Sequence, residues 1–121
     1  MRVLLIGEAD AGWQHLGREL MLDGCEVCFA DDGTSALSLA HAHRPDVVVL
    51  NRWVPDAAGV WLCGALRTAG GRAPIMILTS GGGPKECVEA LEGGADDCLT
   101  APYNVRELKA RLRALHRRRL R

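Results

Sequence analysis

Five short aliphatic runs alternate with stretches of helical spacing, and this alternation constrains the fold more than any other feature of the chain. Runs that are apolar almost without a break are typical of strands covered on both faces of a parallel sheet. Regular alternation of strand and helix predicts an α/β domain. The predicted strands are Arg2–Ile6, Glu26–Ala30, Val47–Asn51, Ile75–Thr79 and Cys98–Thr100.

The stretches between the runs each place apolar side chains on one helical face. In the first, Trp13, Leu16 and Leu20 follow at spacings of three and four residues, as an amphipathic helix requires. At 121 residues the chain is long enough for one domain, residues 1–121, with its own hydrophobic core. The other predicted faces are Ala36, Leu37 and Ala40; Cys63 and Leu66; Val88 and Leu91; and Val105, Leu108, Leu112 and Leu115.

The composition favours a cytoplasmic location. No apolar run is long enough to cross a bilayer, and Met1-Arg2 leads into a strand without the pattern of a signal peptide. The five cysteines have no disulfide-framework spacing, which suits a reducing compartment. Cys25 and Cys28 are three apart on a strand and so face opposite sides, which favours two buried structural thiols over a zinc site.

The formal net charge of zero conceals a strong asymmetry. Residues 1–105 carry a net charge of −7, and residues 106–121 carry +7. A basic end of this kind is typical either of nucleic-acid contact or of a solvated last helix, and we favour the helix. We expect residues 117–121 to begin a linker to a further domain.

The candidate site lies at one edge of the predicted sheet. In an open parallel sheet, ligands bind where the carboxyl ends of the central strands meet. These ends carry Gly7-Glu8, Asn51, Thr79-Ser80 and Ala101.

Six segments in order carry a likeness to a known family. They are residues 3–6, 44–50, 77–80, 91–97, 99–103 and 107–112. With these segments the chain resembles the receiver domain of bacterial response regulators, and within it the OmpR/PhoB-type subfamily that carries a winged-helix DNA-binding domain. The resemblance implies a flavodoxin-like fold: a five-stranded parallel sheet in the order 2-1-3-4-5, with helices on both faces.

The resemblance also implies a phosphorylation pocket of two acids, an acceptor aspartate, a hydroxyl residue and a lysine. The acids hold a divalent cation, while the hydroxyl and the lysine bind phosphoryl oxygens. Three of these five side-chain roles are lost here. The matching positions, in that order, are Gly7, Glu8, Asn51, Thr79 and Ala101, with a metal-ligating backbone carbonyl at Trp53.

The lost groups predict a site without metal, cofactor or phosphoryl transfer, and hence no enzyme. The amide of Asn51 cannot form an acyl phosphate, and Glu8 alone leaves too little negative charge to dehydrate Mg²⁺. Asp10 is either a substitute acid or the N-cap of the first helix, and its place before Trp13 favours the cap.

The switch that reads this pocket in relatives is altered as well. Their strand five carries an aromatic residue that swings inward on activation, whereas Cys98 has no ring to move. Ordinary two-state signalling is therefore not expected. The retained proline predicts a cis Ala101-Pro102 bond.

The resemblance implies a two-fold dimer interface formed by helix four, strand five and helix five. We expect the pairs Asp97–Arg111 and Asp96–Arg118 across it. Cys87 stands where the family has a basic residue opposite Glu107, and Lys85 is a possible substitute. The alternative is that the charged residues of α4, β5 and α5 are solvated and form no interface. The predicted interface comprises Val88, Leu91, Asp96, Asp97, Glu107, Ala110, Arg111 and Arg118.

Together these features predict a phosphorylation-independent homodimerisation module for transcription control, which would contact DNA only through a following domain and no membrane. One alternative is a receiver gated by a small molecule in a roomier cleft near Trp53 and Trp61. Others are a stand-alone interaction adaptor and a phosphotransfer domain with an unexpected acceptor.

Overall fold

The computed structural model describes residues 1–51, 53, 54, 57–81 and 83–120, with the side chains of 53, 54 and 57 outside that description. The central sheet contains β1 Arg2–Ile6, β2 Glu26–Ala30, β3 Val47–Asn51, β4 Ile75–Thr79 and β5 Asp97–Thr100. The helices are α1 Ala11–Leu22, α2 Gly33–His43, α3 Gly59–Thr68, α4 Pro84–Glu92 and α5 Val105–Arg119.

The strands pair in the order β2-β1-β3-β4-β5, and every pairing in the sheet is parallel. The predicted α/β fold and strand order are therefore confirmed. β5 begins at Asp97, one residue before the predicted start. A short antiparallel hairpin, Trp53–Val54 with Ala57–Ala58, follows β3.

Successive residues of each strand point to opposite faces and supply two separate cores. Val48 and Leu50 of β3 lie in the core beneath α2 and α3, whereas Val47 and Val49 lie in the core beneath α1 and α5. All four are at most 2% exposed. This explains why the run is apolar at every position, since neither face of β3 meets water.

Side-chain caps fix where three of the five helices, α1, α2 and α5, begin. The Asp10 carboxylate accepts a hydrogen bond from the Trp13 backbone N–H at 2.8 Å, which confirms the predicted N-cap of α1. Asp32 and Asn104 cap α2 and α5 in the same way. No helix within the described residues is both long and apolar enough to span a membrane.

Cys25 and Cys28 lie on opposite faces of the sheet, as predicted, one against each core. Both are free thiols, but they are half-buried rather than buried. The described residues contain no group of three or more His, Cys, Asp or Glu side chains able to hold a metal ion.

The cap of α1 gives a direct test of the role of Asp10. We expect Asp10→Ala to lower the free energy of unfolding by about 1 kcal/mol, because the Trp13 N–H loses its acceptor. Asp10→Asn removes the charge but keeps a good cap, so its stability should stay close to that of the wild type in urea unfolding. An equal loss in both variants would show that the carboxylate charge, and not capping, is what matters at this position.

Candidate functional site

The carboxyl ends of the strands bring the predicted site residues together. Asn51 ends β3 and lies in register with Leu78, one residue before Thr79. The Ala101 N–H donates to the Thr79 carbonyl at 2.9 Å, which places the former lysine position beside β4. The Ala101-Pro102 peptide bond is cis, as predicted. The expected Trp53 carbonyl belongs to the short hairpin, and the Trp53 side chain lies outside the described residues.

The indole of Trp13 covers Gly7, the position of the missing first acid. A Cβ atom on Gly7 would lie 3.0 Å from Asn51 Cβ and 3.3 Å from Trp13 Cε2. Both distances are shorter than ordinary carbon contacts, so no side chain fits at position 7 without a shift of its neighbours. Trp13 itself is only 4% exposed. The ring therefore takes the space beside Asn51 that the family's first carboxylate would need.

Packing rather than hydrogen bonding holds this ring. The Trp13 indole N–H is buried and meets no acceptor within the described part of the chain. An unsatisfied buried donor costs about 1–3 kcal/mol, which the burial of a large aromatic surface in the α1–α5 core offsets. Sequence reasoning missed this role for Trp13, although a large residue six positions after the replaced acid was the available signal.

Two acids and one amide stand at this edge among the described residues. Glu8 and Asp10 are exposed, and the Asp10 carboxylate already accepts the Trp13 backbone N–H. The half-buried Asn51 supplies only a neutral amide. Magnesium in proteins is held mainly by oxygen ligands, carboxylates above all, and Glu8 and Asp10 are the carboxylates that the described residues place after β1.

The retained hydroxyl, Thr79, is linked to the α4–β5 region. It is 3% exposed, and its hydroxyl donates to the Thr100 hydroxyl at 3.2 Å. Thr100 Oγ1 in turn lies 3.9 Å from the sulfur of Cys87 on α4. A disulfide sulfur has no proton, so Thr100 is the donor in this weak contact.

Cys87 and Cys98 form a disulfide that joins α4 to β5, with their Cα atoms 5.7 Å apart. This corrects the expectation that the cysteines form no disulfide and that Cys98 is a free thiol at the switch position. The pairing was missed because the two residues were considered separately. Cys98 was seen as the replacement of an aromatic residue, and Cys87 as the replacement of a basic one. Their places on neighbouring elements, helix four and strand five, were the signal.

The α4–β5–α5 face exposes apolar and charged groups side by side. Val88 and Leu91 of α4 are 50% and 48% exposed, and Ala110 of α5 is exposed. Arg111 Nη1 lies 3.2 Å from Asp97 Oδ2, and Arg111 Nη2 lies 3.1 Å from Glu107 Oε2, both within one chain. The expected pairing of Asp97 with Arg111 across two chains therefore stays a prediction. Hydrogen bonds to Glu107 and Asp97 raise the pKa of Arg111.

Asp96 pairs with a residue of α3, whereas Asp97 and Glu107 pair with Arg111 of α5. Its carboxylate pairs with Arg67 of α3 and accepts the Ile75 backbone N–H at 2.8 Å. Arg118 is exposed. The expected pair of Asp96 with Arg118 of a second chain therefore stays a prediction, and it would have to compete with these internal partners.

The sequence pattern of the response regulator receiver domain matches residues 3–113. This chain belongs to that family. Over 118 residues it is 41% identical to the response regulator MprA of Mycobacterium sp. strain KMS and 40% identical to MprA of Mycobacterium leprae. The alignments cover 98% of this chain but only 51% and 52% of those proteins, so the chain spans about half the length of these relatives.

Solved receiver structures have the same architecture. The receiver domain of the Francisella response regulator 1452 superposes with a TM-score of 0.90 at 29% identity, covering 97% of each chain. A two-component response regulator from Clostridium difficile gives a TM-score of 0.91 at 26% identity, covering 98% of this chain and 97% of that one. The chain is thus a regulatory receiver domain of a two-component response regulator.

The contact between Trp13 and Gly7 predicts that restoring the missing acid destabilises the fold. We expect Gly7→Asp to lower the free energy of unfolding by about 1–3 kcal/mol, because the new Cβ overlaps Asn51 and the indole. Gly7→Ala should reproduce most of that loss, since it adds the same Cβ without charge.

Gly64→Ala in α3 is the matched control, because no atom lies within 4 Å of its added Cβ. This variant should be unchanged or more stable by about 0.5–1 kcal/mol, as expected for glycine replaced in a helix. Wild-type stability of Gly7→Ala in urea unfolding would show that the indole does not fill the site.

Proposed function

We propose that this receiver domain works without phosphorylation, as the regulatory module of an atypical response regulator. The packing of Trp13 against Gly7, beside Asn51, carries the proposal. In this arrangement a buried aromatic ring stands where a metal-binding carboxylate would have to lie, and an amide stands where the acceptor would. The domain then holds one conformation by packing rather than switching between two by phosphoryl charge.

The same contact favours a closed, rigid pocket over the alternative of a small-molecule sensor. A cleft beside Gly7 would need the indole to move, yet Trp13 is 4% exposed and lies in the α1–α5 core. Moving it would expose a large apolar surface to water, which is unfavourable unless a ligand replaces the contacts.

We further propose that the α4–β5–α5 face forms a homodimer. Support comes from the half-exposed Val88 and Leu91 of α4, a helix that packs against β5, where Asp97 pairs with Arg111. Adjacent exposed apolar residues mark interaction surfaces, and a two-fold axis would place each patch against its own copy. Exposed ion pairs contribute little affinity, roughly 0.2–1 kcal/mol each, but they set the register of the two copies.

Such a dimer would serve to bring two effector domains together. The OmpR/PhoB-type resemblance, with relatives about twice as long as this chain, supports a DNA-binding domain as that effector. Control of transcription is then the function of the whole protein, and this domain supplies pairing rather than DNA contact.

The first prediction of the proposal concerns chemistry at Asn51. After incubation with acetyl phosphate and Mg²⁺, intact mass spectrometry should show no added phosphoryl group on this chain. A receiver domain that carries both acids, the aspartate and the lysine serves as the positive control under the same conditions. A stoichiometric phosphoryl adduct on this chain, or tight binding of beryllofluoride, would overturn phosphorylation independence.

The second prediction concerns the dimer. Sedimentation of the wild type over a range of concentrations should show a monomer–dimer equilibrium. Arg111→Glu should raise the dissociation constant by about tenfold or more, because it sets like charges against each other at the interface.

Arg113→Glu is the matched control, since it makes the same charge change on another side of α5, near Lys109. It should leave the constant within about threefold of the wild type. A dimer that survives Arg111→Glu unchanged would place the interface elsewhere.

A further inference from the structure

The disulfide lies where the phosphorylation switch of the family would act. Cys98 occupies the position of the mobile aromatic residue, and its partner Cys87 lies on the helix that borders the proposed dimer face. Both residues are half-buried, so small reagents have access to the bond. The Thr79–Thr100–Cys87 contacts connect the same sulfur to the hydroxyl of the former pocket.

Noncovalent packing holds α4 only lightly. Of its nine residues, all of them described, Ala90 alone is buried. Hydrogen bonds from Ser80 to Glu86 fasten its first turn. Glycines with positive φ lie close to both ends, Gly83 at 92° and Gly94 at 116°, and such residues allow backbone rotation at little cost. The bond from Cys87 to β5 is therefore a covalent restraint that adds to these contacts in positioning the helix.

We propose that Cys87 and Cys98 form a reversible thiol–disulfide exchange site, whose substrates are low-molecular-weight thiols and disulfides. In the oxidising direction, one cysteine thiolate attacks a small disulfide, forming a mixed disulfide and releasing one small thiolate. The second cysteine thiolate then attacks the protein sulfur of that mixed disulfide and releases the second small thiol. The two cysteines lose two electrons and two protons, and the small disulfide gains them as two thiols.

Oxidation would fix the α4–β5–α5 face, and reduction would release it. With the bond closed, Val88 and Leu91 hold a set position relative to Asp97, the neighbour of Cys98. With the bond open, α4 loses its covalent link to β5 and still has a glycine near each end. Dimerisation must then also offset the entropy lost when α4 becomes fixed. This consequence rests on the proposed homodimer, whereas the exchange site itself does not.

The other three cysteines provide an internal reference. Cys25, Cys28 and Cys63 are free in the structure. Cys63 is fully buried, and burial raises the pKa of its thiol to about 11, which makes it a poor nucleophile. Cys25 and Cys28 face opposite sides of β2 and cannot bond to each other without unfolding the strand.

The exchange site is tested by counting thiols in the Arg111→Glu variant, so that dimerisation plays no part. The protein is reduced with dithiothreitol, desalted, exposed to glutathione disulfide, then denatured with excess N-ethylmaleimide and weighed intact. We expect five maleimide additions in the reduced protein and three after oxidation, with renewed reduction restoring five, since the chain has five cysteines of which three are free.

Cysteine-to-serine variants show which two cysteines form the bond on oxidation. Cys25→Ser with Cys28→Ser should still lose two additions on oxidation, whereas Cys87→Ser should lose none by internal bonding and retain one glutathione at most. Peptide mapping should find the oxidised pair at Cys87 and Cys98. Five additions after oxidation, or a pair that excludes either residue, would overturn the proposal.

The effect on α4 and on the dimer is measured separately. Backbone hydrogen exchange in residues 84–92 of the Arg111→Glu variant should be about tenfold faster after reduction, and unchanged by reductant in Cys87→Ser. In the wild type, reduction should raise the dimer dissociation constant about fivefold or more. Equal exchange in both redox states would refute control of α4. A wild type that is monomeric in both states, with normal thiol counts, would refute the homodimer and leave the exchange site standing.

Discussion

β3 pairs with β1 on one side and with β4 on the other, and this pairing fixes the positions of the residues at the carboxyl edge of the sheet. Because both faces of β3 are also buried, its position leaves no freedom of register, since a shift of one residue would exchange the two cores. Asn51 is thereby held beside Gly7 and Thr79. Core packing therefore brings the carboxyl ends of β1, β3 and β4 to one edge of the sheet, whichever side chains stand there.

Two contacts between distant parts of the chain shape the surroundings of this edge. At one end of the site, Trp13 fills the volume of an acid and joins the pocket to the α1–α5 core. At the other, the bond between Cys87 and Cys98 takes the place of a mobile aromatic residue. The Thr79–Thr100 hydrogen bond, the Thr100–Cys87 contact and the disulfide thus connect this edge of the sheet with α4 and β5.

Periodicity and turn chemistry made most of the fold predictable from the sequence, because the strand runs, helical faces and the Asp10 cap are set by local residues. The order of the strands came from the family resemblance. Contacts between distant side chains were not predictable in this way. The position of the indole over Gly7 depends on the rotamer of Trp13. The Cys87–Cys98 bond depends on how α4 packs against β5. The Asp96–Arg67 pair depends on how closely α3 approaches Asp96. The identities of Gly7, Asn51 and Ala101 predicted lost phosphorylation chemistry, which stays a prediction, and they did not indicate the indole and the disulfide that the structure places nearby.

The contact of Trp13 with Gly7 also limits which residues can stand together at positions 7 and 13. An acid at position 7 overlaps the indole, while a smaller residue at position 13 leaves a cavity in the core. Either substitution alone costs stability. Positions 7 and 13 are therefore coupled, because each limits the size of the residue that the other tolerates. A larger residue at position 7 is accommodated only when position 13 becomes smaller in the same variant.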